Sequence, residues 1–267
     1  MSEIDFKGRK AVVTGAAQGL GEAAARRFAA KGAAGLALID RDARGATVAA
    51  ELTERGCPSR FVHADLGDPA SCHAAIDEAA AALGRIDSLI NCAGVTDRGT
   101  IDDTTPETFD RVFAVNARAP FLLIQRVLPH MRRQGGGTIV NILSMVAHGG
   151  PPFIVAYCGA KAALATMTKN IAGTARWDRI RVNGLNIGWT DTPAETVTQM
   201  QAHGRSADWL AEVEPTQPFG RLLKPEDVAR AIWFLASEES GIMTGAIVDF
   251  DQTVIGAYDI DSSGRVG

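Results

Sequence analysis

Seven short runs of this 267-residue chain are apolar almost throughout, and helix-forming stretches separate them. They are Lys10–Thr14, Gly35–Ile39, Arg60–Ala64, Ser88–Ile90, Thr138–Leu143, Ile180–Leu185 and Ala246–Phe250. A strand that is apolar on both faces has no solvated side, so it belongs inside a parallel sheet covered by helices above and below. The alternation therefore predicts an α/β fold. Residues 1–267 are expected to form a single domain, a doubly wound parallel sheet of about seven strands. In such a sheet ligands bind outside the C-terminal ends of the strands. Gly15, Asp40, Asp65, Asn91, Ser144 and Gly188 all fall at those ends.

The intervening stretches read as helices over about Gly19–Ala30, Asp42–Arg55, Ala156–Ala175 and Pro225–Ala236. Asp68-Pro69 opens another with a cap residue and a first-turn proline, and it ends at Gly84. Thr105-Pro106 starts a long helical region to roughly Gln134, which Pro120 and Pro129 should break or kink into two segments. Arg132-Arg133 before Gly135 suits a last turn that favours cations and is closed by glycine. Residues 189–217 carry no strand pattern and are long enough to form a lid.

Net charge is −4 and no lysine or arginine block is present, so neither nucleic acid nor an acidic membrane is an expected partner. The polar, acidic start Met1-Ser2-Glu3-Ile4-Asp5 does not read as a signal peptide, and no apolar run reaches the ~18 residues a membrane span needs. Cys57, Cys72, Cys92 and Cys158 are scattered without a CxxC pair. Free thiols in a reducing cytoplasm are expected, with no disulfide framework and no metal site.

Gly15, Gly19 and Gly21 lie between the first strand and the first helix, a GxxxGxG spacing with a mechanism. The first glycine permits a tight turn, and the others let backbone and helix N-terminus approach a pyrophosphate. Gln18 and Leu20 share that turn and count with the glycines as cofactor contacts. Asp40 follows 19 residues after Gly21, at the end of the second strand. A carboxylate there hydrogen-bonds a ribose 2′-OH and repels a 2′-phosphate, which favours NAD over NADP. Neutral Gln18 agrees with that preference, and Arg41 dissents.

Tyr157 and Lys161, four apart on one predicted helix, share a face one turn apart. A fixed ammonium beside a phenol favours the phenolate and draws a group of pKa ~10 toward working pH.

Thr14-Gly15-xxx-Gly19-x-Gly21, Asp65-Leu66, Asn91-Cys92-Ala93-Gly94, Asn116, Ser144 and Tyr157-xxx-Lys161, in this order, resemble the short-chain dehydrogenase/reductase family. The resemblance spans about Lys7 to Phe250. It implies a Rossmann-type subunit, assembled as a homotetramer or homodimer, that moves hydride between NAD(P) and an alcohol or carbonyl. By resemblance Asp65 and Leu66 contact adenine, and Asn91, Ala93 and Gly94 support sheet and cofactor. Ile187-Gly188 stands where the family commonly has Pro-Gly, and Thr190 or Thr192 reaches the carboxamide or pyrophosphate. Asp249-Phe250-Asp251-Gln252 replaces a frequent Asp-Gly-Gly.

Hydride transfer needs a base, a donor for the developing alkoxide and close placement of the nicotinamide. Tyr157 is the expected base, Lys161 stabilises its phenolate and binds ribose, and Ser144 holds the substrate oxygen. Asn116, by resemblance, holds a water that links Lys161 to solvent. Met145, His148, Trp189 and Trp209 are candidates to line a small-molecule alcohol or ketone pocket. His148 reads either as a substrate contact or as a solvated loop residue, and the two tryptophans either stack on a ring or pack the lid. The mixed lining suggests a sugar or polyol. An NADPH-dependent ketoreductase and a non-catalytic dinucleotide sensor are the competing readings.

Overall fold

The apolar runs form one parallel sheet in the order β3-β2-β1-β4-β5-β6-β7 in a computed structural model that describes residues 6–257. The strands are β1 (Lys10–Thr14), β2 (Gly35–Asp40), β3 (Ser59–His63), β4 (Ser88–Asn91), β5 (Gly137–Ser144), β6 (Ile180–Ile187) and β7 (Ile247–Phe250). Each expected strand is present, β1 at the expected bounds and the others with ends displaced by at most two residues. The order reverses between β1 and β4, which opens a crevice at the C-terminal edge there.

Helices α1 (Gly19–Ala30), α2 (Arg44–Glu54) and α9 (Pro225–Ala236) cover one face. The other carries α3 (Pro69–Leu83), α5 (Ala119–Gln134) and α6 (Val155–Ala175). The first layer is held by Phe28 and Leu52 on the side of β1 and β2 and by Ile232 and Trp233 on α9, over β5 and β6, the second by Ile76, Leu123, Val127 and Met131. Burying such side chains contributes about 1.5–3 kcal/mol each, so two covered faces hold the sheet firmly. Among the described residues no helix is long and apolar enough to cross a membrane.

The long helical region divides in a way the prolines only half explain. α4 (Pro106–Phe113) runs into a π-helical turn over Ala114–Arg118, and α5 follows. Pro120 lies in the first turn of α5, directly after the π turn, so its missing N–H falls at the junction of the two helical segments. Pro129, expected to break the helix, sits inside it. The buried stripe of Leu123, Ile124, Val127 and Met131 holds that stretch to the sheet across the lost hydrogen bond. The π turn carries Asn116, and such turns re-aim single side chains.

The 189–217 stretch contains two helices, α7 (Pro193–Gln201) and the short α8 (Trp209–Val213). Thr192 caps α7 by accepting from the Glu195 amide at 3.1 Å.

Candidate active site

The turn after β1 is shaped by two close approaches. A Cβ on Gly15 would stand 2.9 Å from the Ala93 backbone, and one on Gly21 would stand 2.2 Å from the Gly15 carbonyl oxygen. Thr14 Oγ1 accepts from the Cys92 and Ala93 amides at 3.1 Å each, which ties the ends of β1 and β4 together. Gln18, at the N-cap of α1, offers no side-chain acceptor to the first-turn N–H groups, and these remain available to an anion.

A cleft of about 350 Å³ runs along this edge. Asp40, Asp65 and Leu66 line its outer end, while Gly15, Gln18, Gly19, Leu20 and Gly21 line the middle. Its inner end holds Ala93, Gly94, Tyr157, Lys161, Ile187 and Thr192. The glycine cradle, the open helix terminus and the outer carboxylates fit a dinucleotide. Asp40 is fixed by accepting from the Ala17 and Asp42 amides, both at 2.9 Å. Arg44, which the sequence reading passed over, donates to Gln18 Oε1 at 3.1 Å and pairs with Asp42.

At the inner end Ser144 and Ile187 are register partners on β5 and β6. Lys161 is 3% exposed, and its Nζ donates to the Ile142 carbonyl at 2.7 Å. The same Nζ lies 5.5 Å from the Tyr157 ring centroid. Gly94 has room for no side chain, because a Cβ there would stand 2.9 Å from Asn116 Oδ1 and 3.8 Å from Lys161 Nζ. Asn116 Nδ2 donates to the Val95 and Val112 carbonyls, at 2.8 and 2.9 Å, which turns its buried Oδ1 toward that space.

Burial decides both titrations. It pushes the Tyr157 phenol up to about 12, although the ring keeps partial access to the cleft; a Ser144 hydrogen bond and the charge of Arg98 work against it. Burial also pushes Lys161 down to about 8, with a small opposing contribution from Cys92. In the free enzyme, then, proximity to the ammonium does not bring the phenol down. Between pH 8 and its ordinary 10.5 the unfolded chain holds the Lys161 proton that the folded chain has released. Stability therefore rises with pH across that window, and from about pH 10 to 12 Tyr157 acts in the opposite direction. Lys161→Met should abolish turnover yet stabilise the fold by on the order of 2 kcal/mol at neutral pH, allowing for the lost Ile142 bond. Urea unfolding at pH 7 and 10 checks this, since the variant should lack the rise.

Other expected residues lie elsewhere. Asn91 does not line the cleft; its Nδ2 donates to Asn141 at 2.8 Å, and Asn141 donates to Thr168 on α6 at 2.9 Å. Thr190 is turned inward to the Gly188 carbonyl at 3.0 Å, which leaves Thr192 as the member of that pair at the cleft. Met145 is buried. His148 is neither a cleft residue nor merely solvated, because its Nε2 lies 3.0 Å from Asp249 and 3.1 Å from Asn186. Trp209 is 1% exposed and stacks on Trp189 at 5.9 Å, so it packs the 189–217 stretch from inside. Trp189 donates to Glu195 at 2.8 Å. Glu195 itself lines the cleft and was missed, because nothing in its local sequence separates it from an ordinary first-turn glutamate.

A doubly wound sheet with a glycine cradle at its switch point and a buried Tyr-Lys pair at the inner end defines a dinucleotide-dependent oxidoreductase. Comparisons agree. Residues 15–252 match the family described as enoyl-(acyl carrier protein) reductase. A probable galactose dehydrogenase of Rhizobium meliloti is 35% identical, covering 92% of this chain and 95% of its own. D-threitol dehydrogenase of Mycolicibacterium smegmatis is 36% identical, covering 97% and 96%. L-sorbose reductase from Gluconobacter frateurii, solved with NADPH and L-sorbose, superposes with a TM-score of 0.90 at 29% identity, covering 96% and 99%. A 7α-hydroxysteroid dehydrogenase complexed with NADH gives 0.86 at 28%, covering 96% and 97%. The chain belongs to the short-chain dehydrogenase/reductase family. It is an oxidoreductase of alcohol groups.

Proposed function

We propose that the protein oxidises a secondary alcohol of a sugar or polyol with NAD as hydride acceptor. The observation that carries this is Tyr157, hydrogen-bonded to Ser144 and beside Lys161, in the wall at the inner end of a cleft whose outer end is lined by Asp40. A bound oxidised nicotinamide supplies the hydride acceptor and a positive ring charge. Tyr157 takes the alcohol proton, and Ser144 donates to the substrate oxygen. Lys161 favours the phenolate that Tyr157 must be in to accept that proton and become the phenol, and Asn116 Oδ1 holds a water beside the ammonium. The family relatives and neighbours named for galactose, threitol and sorbose support a polyhydroxylated substrate, as does Glu195 in the wall. Assembly as a homotetramer or homodimer in the cytoplasm belongs to the same proposal.

An NAD-reduction screen over sugars, polyols, hydroxysteroids and simple secondary alcohols tests it. Turnover should concentrate on polyols and sugars; reaction with apolar alcohols only would sink the substrate reading.

Arg41 in the cleft and Arg44 beside Gln18 favour the competing NADPH reading, and the solved neighbours include both cofactors. The fixed Asp40 carboxylate outweighs them, because it occupies the ribose end and like charges brought together cost several kcal/mol. NADH should bind at least about tenfold more tightly than NADPH. Asp40→Ala should erase that ratio or invert it, as read by fluorescence titration. A wild-type preference for NADPH would refute the cofactor assignment.

A further inference from the structure

Beside Thr96, at the rim of the cleft, stands Arg98, a cation that the hydride chemistry does not use. Arg98 Nη1 donates to the Thr96 carbonyl at 3.0 Å, and Thr96 lines the cleft. Its Nε donates to His203 Nε2 at 3.2 Å, and its guanidinium lies 5.7 Å from the Phe153 ring centroid. Phe153 and His203 meet edge to face at 5.2 Å. Three segments thus converge on one side chain: the loop after β4, the stretch before α6, and the lid after α7. Arg98 is half-buried, and among the described residues it has no carboxylate partner. Its neighbour Asp97 is committed to Arg111. A guanidinium fixed by two bonds and a ring, with donors to spare, is a preorganised anion receptor. The adjoining Gly99 pairs with Ile154, three residues before Tyr157, which places Arg98 on the reacting side of the cleft.

On the lid side, Glu195 Oε1 accepts from Trp189 at 2.8 Å and Gln199 at 2.6 Å. That carboxylate suits hydroxyl groups and opposes an anion beside it. One guanidinium with a glutamate nearby balances a single negative charge better than a phosphate dianion.

We infer that the substrate is a polyhydroxy acid whose reacting carbinol meets Ser144 and Tyr157 while its carboxylate, several carbons away, is received by Arg98. This rests on the sugar or polyol reading and narrows it.

The experiment compares matched pairs, such as gluconate with glucitol and galactonate with galactitol, in wild type, Arg98→Gln and Arg98→Lys. Wild type should favour the acid in kcat/KM. Arg98→Gln should reduce the acid-to-polyol ratio by about ten- to a hundredfold, mainly through KM, and Arg98→Lys should recover part of it. Binding of the acids to the enzyme–NADH complex, followed by NADH fluorescence, should weaken in parallel. Turnover of both members of each pair with an unaltered ratio in Arg98→Gln overturns the inference and leaves the polyol reading standing. Arg98-dependent binding of acids without turnover of any sugar, polyol or acid supports the receptor and overturns the polyol reading. Absence of acid binding in wild type overturns the inference outright.

Discussion

Tyr157→Phe should lower kcat/KM for alcohol oxidation by about 10²–10⁴-fold and leave NADH binding near its wild-type value. The ring, which packs beside Val112 and Ala160, is retained, and only the group that accepts the proton is removed. Ser144 and Lys161 stay in place, since Lys161 is held by the Ile142 carbonyl and not by the phenol. In the wild type the phenol is pushed up to about 12 by burial, so oxidation should accelerate as pH rises, and the variant should lose that dependence. Steady-state kinetics across pH with a parallel NADH titration reads both effects. A variant with wild-type kcat would remove Tyr157 from the chemistry.

Gly21→Ala should fail at an earlier point. A Cβ there would lie 2.2 Å from the Gly15 carbonyl oxygen, 2.6 Å from its carbon and 2.8 Å from the Thr14 carbonyl oxygen. All three are backbone atoms, so α1 has to move off the β1 turn. Overpacking of this kind costs about 1–3 kcal/mol, and it displaces the amides that face the pyrophosphate. Dinucleotide affinity should fall at least about a hundredfold, with a lowered melting temperature. Unchanged NADH affinity would mean that the cradle does not bind the cofactor as described.

The layout of the sheet was legible because each strand is buried on both faces and therefore spelled in uninterrupted apolar residues. The strand ends, and with them Gly15, Asp40 and Ser144, followed from that spelling, while Tyr157 followed from its four-residue spacing to Lys161 on a helix. What was not legible depends on segments that meet only in three dimensions. Glu195 enters the cleft because α7 folds back over it, and Arg44 reaches Gln18 from the start of α2. Trp209 was weighed between stacking on a ring and packing its own stretch; it does the latter, in a small cluster with Val213 and Leu222. His148 was weighed between substrate and solvent; its partners are Asn186 and Asp249, 38 and 101 residues away. Those bonds, with burial opposing them, hold the Asp249 carboxyl below its usual range. Pro129 shows the same limit: local chemistry asks for a break, and the packed face of α5 withholds it.

The most direct measurement follows the hydrogen itself. An alditol or aldonate deuterated at its carbinol carbons is incubated with the enzyme and NAD, and the reduced cofactor is examined by NMR. Deuterium at C4 of the nicotinamide, absent when Tyr157→Phe is used, is the predicted result. Label released into water, or no reduced cofactor with any polyhydroxylated substrate, would contradict the account.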